Sequence, residues 1–386
     1  MARSNTAIAA IIPPVKAGYW YCHSDFPIPV SSIPSQLFTH LFAAFADVKP
    51  NTNDSSIKLA RSNDFHGLSL QWQYPSTAVQ MANLGSLLDE WRAAVDKESK
   101  LTGNDQLLLV AAVNYMSSTL PTVTYPVDAI ARSLDWINLM AYDFYNPALS
   151  RNATGPFAAL LKGKDPIIPH YGDLGVNAWI QPPVTARKIV LGLPFYGAAW
   201  RLIDTAKTEI FAPADGPADG QAAGVYIDPL DGTILYNQIQ YFKETHSDGI
   251  DQYSPDYVVD YFSVGKTWIG YNGIKSITAK VTYARDKTLL GYYAWHVGGD
   301  RDGTLSGAAS GTWPIPGPEQ DIAIGINTGT GTGIATAIAT STASGVGTVT
   351  SAITGTNTNN HTFICTNTCP APAPAPAPAR CENYQQ

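Results

Sequence analysis

Charge is scarce in this 386-residue chain: Asp, Glu, Lys and Arg together make up 14%, against about 25% in an ordinary soluble domain. Acidic residues outnumber basic ones 31 to 24, for a formal charge of −7. No basic stripe is available to neutralise phosphates, which excludes nucleic acid as an expected partner. No apolar run approaches the roughly 20 residues needed to span a bilayer. Cysteine is sparse and lopsided, with Cys22 alone in the body and Cys365, Cys369 and Cys381 crowded near the end. That is not a disulfide framework. His361 lies four residues before Cys365, but the set falls short of a structural zinc site, so neither metal nor cofactor is expected. A disulfide within the tail is the expectation if the chain is secreted.

The opening residues 1–14 carry one positive charge and a six-residue apolar run, Ala7–Ile12, where a secretory core takes about 7–15. They read as an arm or a clipped signal. Glycosylation triplets occur at Asn53, Asn152 and Asn360, although such triplets also arise by chance.

Composition changes sharply near residue 315. From Ile322 to Ala379 there is no Asp, Glu, Lys or Arg, and the stretch closes in Pro-Ala alternation. Such alternation favours an extended spacer. Residues 316–386 are therefore expected to be a low-complexity tail without a core of its own.

Residues 15–315 have a different character. Short apolar runs recur at Val15–Trp20, Thr39–Ala46, His66–Trp72, Leu107–Val113, Trp136–Tyr142, Lys188–Pro194 and Leu289–Trp295. Several are continuous rather than alternating, as in parallel strands covered on both faces. Helix-like stretches lie between them, including Ser55–Arg61 and Met81–Val95, the latter with Leu84, Leu87, Leu88 and Trp91 at helical spacing. Strand alternating with helix predicts an α/β fold with a parallel sheet, open or closed into a barrel. Between Tyr196 and Trp268 the repeat breaks, and a small α+β insertion over about 200–270 is expected there.

Aromatics are plentiful: 11% of the chain, with 9 Trp and 20 Tyr. They suit flat, uncharged ligands such as sugars. Tyr19, Phe45, Asp47, Trp72, Tyr74, Tyr142, Asp143 and Trp295 fall at the carboxyl ends of the candidate strands, where a (β/α) barrel holds its ligand.

The run His66-Gly-Leu-Ser-Leu-Gln-Trp-Gln-Tyr-Pro75 resembles the fourth-strand signature of glycoside hydrolase family 18, and most closely that of its plant class V chitinases. Ala17-Gly-Tyr-Trp20, Phe38–Asp47, Leu134–Phe144, Leu191–Gly197 and Leu290–His296 resemble further family segments in order and spacing. The resemblance covers about residues 15–315 and implies a (β/α)8 TIM barrel with an α+β insertion before the last strand. It also implies a chitin or N-acetylglucosamine oligosaccharide as partner and an extracellular or vacuolar location.

In that family an Asp-x-Asp-x-Glu motif lines the fourth strand. The Glu protonates the glycosidic oxygen while the substrate's own acetamide attacks the anomeric carbon, a substrate-assisted scheme. The matching positions here are Ser69, Gln71 and Gln73. Gln73 is nearly isosteric with Glu but has no titratable proton, and Gln71 cannot offset developing positive charge as a carboxylate does. The resemblance implies that Tyr19, Phe45, Gln73, Met140, Tyr142, Asp143, Tyr196 and Trp295 contact the sugar. The expectation is a chitinase-like protein that binds N-acetylglucosamine oligomers with little or no hydrolysis. The alternatives are an active chitinase and a non-functional truncated homologue.

A second departure concerns chain length. The family has a third strand between the segments matched by Ala46 and His66, and the residues present here leave room for one helix and no strand. One crossover helix is enough to join neighbouring parallel strands, so the barrel is expected to be incomplete, with its third-strand region absent.

Overall fold

The computed structural model describes residues 13–21, 28–47, 53–120, 123–164, 166–314 and 361–367. The expectations for residues 1–12, for Cys22, Cys369 and Cys381 and for the side chains of Asp47, Asn53, His361 and Cys365 lie outside the described residues, as does that for Asn360.

Seven barrel strands come from the body of the chain: β1 (Val15–Tyr21), β2 (His40–Asp47), β3 (Gly67–Gln71), β4 (Leu108–Asn114), β5 (Trp136–Met140), β6 (Ile189–Pro194) and β7 (Gly291–Trp295). All pair in parallel with their barrel neighbours. Between β2 and β3 the chain forms one helix, α1 (Asn53–Ser62), and no described strand, so the third-strand region is missing from the body as expected. The body alone therefore leaves a seam between β2 and β3. Residues His361–Asn367 pair in parallel with both edges of that seam as β8. The order around the closed barrel is β1-β7-β6-β5-β4-β3-β8-β2. These seven residues lie within the stretch expected to be a low-complexity tail.

The period-two alternation of β3 explains its two faces. Leu68 and Leu70 point outward into the helix layer, where they join Leu84, Leu88, Trp91 and Val95 of α2 (Ala78–Thr102). Ser69 and Gln71 are buried as well, but neither belongs to that apolar cluster. Helix α2 begins at a reciprocal capping box: Thr77 Oγ1 accepts from the Gln80 N–H, and Gln80 Oε1 accepts from the Thr77 N–H. It stops at Gly103, whose φ of 73° suits a residue without a Cβ. Trp72, expected at the groove, instead packs against this outer core.

Between β6 and β7 the expected insertion folds as a six-stranded antiparallel sheet built on Tyr196–Leu202, Ala214–Pro217, Thr233–Leu235, Ile250–Ser254, Val259–Val264 and Thr267–Tyr271. Helix Tyr236–Thr245 buries Tyr236, Ile239 and Phe242. Trp200 and Trp268 meet edge to face at 5.4 Å within this unit. Both indole N–H groups donate to backbone carbonyls, of Ser150 and Thr208, so the buried indoles carry no unpaired donor. No helix among the described residues is long and apolar enough to cross a membrane.

Candidate carbohydrate groove

Side chains pointing into the barrel form a polar and aromatic column. Asn138, fully buried on β5, accepts from Trp136 Nε1 at 3.0 Å and donates to Tyr19 Oη at 2.8 Å. Tyr19 stacks on Phe42 at 4.5 Å and meets the edges of Tyr293 and Trp295. Above Asn138, the hydroxyls of Tyr142 and Tyr293 are 2.9 Å apart. Gly192 of β6 makes room for that pair: a Cβ there would lie 2.6 Å from the Tyr142 ring and 2.8 Å from Tyr293 Oη. Burial pushes both phenols well above their ordinary range, so they are neutral hydrogen-bonding groups at any working pH.

One wall of the opening is aromatic. Trp295, half-buried at the end of β7, lies 5.8 Å from Phe45 and 5.9 Å from Tyr21, each ring tilted 31° to it. An indole flanked in this way presents a broad apolar face, the feature that stacks on a pyranose ring. His296, the next residue, is buried, and its Nδ1 accepts from the Gly298 N–H at 3.1 Å. Burial pulls its pKa down to about 4, so it is neutral and fixed as a loop anchor.

Asp143 follows β5 and is the carboxylate that stands among these groups. Tyr196, the first residue of the insertion, donates its hydroxyl to Asp143, 2.7 and 2.8 Å from the two carboxylate oxygens. The side chain stays open to the groove yet is surrounded by protein. Desolvation raises its pKa to about 6, the Tyr196 hydrogen bond opposes the shift, and the negative charge of Asp231 adds to it. Its φ of 62° places it in the left-handed region, which Asp tolerates better than most residues.

The β3 wall looks different. Gln71 and Gln73 both point their amide nitrogens at the thioether of Met140, at 3.7 and 3.0 Å, and the Tyr74 hydroxyl reaches the same sulfur at 4.0 Å. Sulfur is a weak acceptor, and three donors aimed at it form a soft cluster. Gln71 Oε1 is buried without a hydrogen-bond partner among the described residues. No group at positions 69, 71 or 73 can deliver a proton to a leaving group.

All eight residues expected from the resemblance to touch sugar lie at this one end of the barrel: Tyr19, Phe45, Gln73, Met140, Tyr142, Asp143, Tyr196 and Trp295. Tyr19 serves as the floor of the column rather than an open contact, being 1% exposed. Sequence reasoning missed Asn138, Tyr293 and Tyr21. Asn138 left a legible signal, a lone amide inside an apolar strand, which has to find partners when buried. Among the described residues no cluster of His, Cys, Asp and Glu is arranged to hold a metal ion.

Comparisons with known proteins agree with this fold. The class V chitinase of Arabidopsis thaliana is 42% identical over 355 residues, spanning 78% of this chain and 89% of that protein. Among solved structures, the class V chitinase from Nicotiana tobaccum superposes with a TM-score of 0.72 at 38% identity, covering 78% of this chain and 99% of that one; its glutamate-to-glutamine mutant in complex with NAG4 gives the same values. The chitinase-like agglutinin from Robinia pseudoacacia gives a TM-score of 0.68 at 35% identity, over 78% of this chain and 100% of its own. The sequence profile of glycosyl hydrolases family 18 matches residues 51–300, which contain β3, Asp143, Tyr196 and Trp295, and the chain belongs to that family.

Proposed function

We propose that this protein holds N-acetylglucosamine oligomers in the groove between Trp295, Asp143 and Gln73 and leaves them uncut. The observation that carries this reading is the chemistry of β3: a hydroxyl and two amides at positions 69, 71 and 73 in place of carboxyls. A positioned general acid contributes about 10²–10⁴ in rate, and an amide supplies none of it. Binding depends on other groups. A neutral sugar is held by stacking on Trp295 and by hydrogen bonds from Asp143, Tyr142 and Tyr196, all of which are present. Asp143 titrates close to 6, so its carboxyl can accept from an acetamide N–H when ionised or donate to the acetamide oxygen when protonated. The relative solved with NAG4 is a glutamate-to-glutamine mutant, which supports a glutamine-bearing groove as a sugar holder. The agglutinin is a further relative whose name describes binding.

Hydrolysis is the second reading, favoured by the names of the relatives: several of those at 33–42% identity are called chitinases. It requires an acid other than residue 73, and among the described residues Asp143 is a groove carboxyl whose pKa is raised. Calorimetric titration with chitotetraose, paired with chromatography of the same mixture after overnight incubation, separates the two. Heat of binding with intact tetramer is the expected result. Absence of heat sinks the binding proposal, and release of shorter sugars abolished by Asp143→Asn establishes the second.

A further inference from the structure

The seam between β2 and β3 has the dimensions of a site. Neighbouring strands lie about 4.8 Å apart, so two strands separated by a third stand about 9.6 Å apart. That is too far for direct pairing and wide enough for a single strand. β8 fills it, pairing with β3 in an unbroken register and with β2 through a register shift between Ile364 and Thr366: Phe363 lies opposite Phe42 and Gly67, Ile364 opposite Ala43 and Leu68, and Asn367 opposite Asp47 and Gln71. The sequence of this strand, His-Thr-Phe-Ile-Cys-Thr-Asn, is rich in β-branched and aromatic residues. Its flanks are Gly/Thr-rich on one side and Pro/Ala-rich on the other. The last helix of the body ends at Thr312, and residues 315–360 intervene. At about 3.3 Å per residue these can reach on the order of 150 Å, several times the length of a strand, so a tight connection does not force the strand into place.

We propose that the β2–β3 seam is a strand-acceptor site occupied by residues 361–367 of the same chain, and that seating this strand sets the grip of the sugar groove. Phe45 stands near the end of β2 and Gln73 two residues past the end of β3, and Asn367 pairs with the last residues of both strands, Asp47 and Gln71. Withdrawal of the strand exposes two rows of unpaired backbone groups and frees the two walls to move independently. The coupling to sugar rests on the binding function proposed above; the seating of the strand does not.

Two experiments on the full chain decide it. Cys365 and Ser69 are Cα partners on adjacent strands, and that separation is within the range a disulfide spans. Ser69→Cys treated with oxidised glutathione is expected to form an intrachain 69–365 link, located by mass spectrometry of the digested monomer. Absence of the link overturns the seating, and a link found only in covalent dimers overturns it in favour of a second copy.

Ile364→Pro removes a ladder N–H. It is expected to lower the melting temperature by about 5 °C or more and to weaken chitotetraose binding about tenfold, the loss produced when a tenth of the molecules remain competent. Thr350→Pro, outside the strand, is expected to do neither, and excess peptide of the 361–367 sequence should restore both. An unchanged melting temperature in Ile364→Pro overturns the seating. A lowered one with unaltered affinity overturns the coupling alone. If the unaltered chain binds no sugar, the binding function and the coupling both fail, and the 69–365 link still decides the strand.

Discussion

The two walls of the groove have been treated differently. On the side of β5, β7 and the insertion, the polar groups make paired contacts: Asn138 bridges Trp136 and Tyr19, Tyr142 meets Tyr293, and Tyr196 holds Asp143. On the β3 side the amides of Gln71 and Gln73 lean on a thioether, and one buried amide oxygen has no partner among the described residues. The first wall carries paired hydrogen-bonding groups and ring faces. The second is where proton delivery belongs in this family, and it has none to offer. On the function proposed above, recognition and bond cleavage belong to separate strands, and one can be lost without the other.

The sharpest way to break this contrast is to rebuild the poor wall. Ser69→Asp, Gln71→Asp and Gln73→Glu together are expected to raise the rate of chitotetraose hydrolysis by about 10²–10⁴ over the unaltered chain, measured by product chromatography. An unaltered chain already that fast would erase the distinction. Damaging the rich wall comes next: Trp295→Ala is expected to weaken chitotetraose binding about 30-fold, the loss typical of a central aromatic anchor, read by calorimetry. Asn138→Ala removes the buried hydrogen bonds that Asn138 makes with the Trp136 indole and the Tyr19 hydroxyl, and denaturant unfolding should register a loss of about 1–3 kcal/mol.

The smallest effect is a pH dependence with two opposed parts. His296 has its pKa depressed to about 4, so the stability it contributes is present above 6.5 and is lost as pH falls through 4, because the unfolded chain takes up the proton first. Asp143 has its pKa raised to about 6, so its contribution is present below 3.8 and is lost as pH rises through 6. Between about 4 and 6 the two slopes oppose each other, and melting temperature should change little. Asp143→Asn removes one slope and should leave a melting temperature that rises with pH across that interval.

Much of this was legible in the sequence because it is local. The seven body strands lie within two residues of the apolar runs that announce them, and α2 extends the Met81–Val95 pattern outward to its capping box at Thr77 and to Gly103. The groove residues were found through resemblance, since strand-end aromatics alone do not say which ones converge. Trp72 shows the limit: adjacent to Gln71 and Gln73 in sequence, it alternates to the opposite face and packs outward. β8 was hidden for a different reason. Its partners lie about 300 residues earlier in the chain, and a non-local pairing leaves no periodic mark. A short β-branched run inside a low-complexity tail carries no signal of its own.

Position 143 answers to two constraints at once. With φ at 62°, its backbone accepts glycine, asparagine or aspartate with little strain and penalises almost every other side chain. Of those three, only aspartate gives Tyr196 a charged acceptor. Drift at this corner therefore has few exits: a homologue that abandons the acid should carry asparagine or glycine there, and a bulkier replacement would have to remodel the turn before it could touch a sugar.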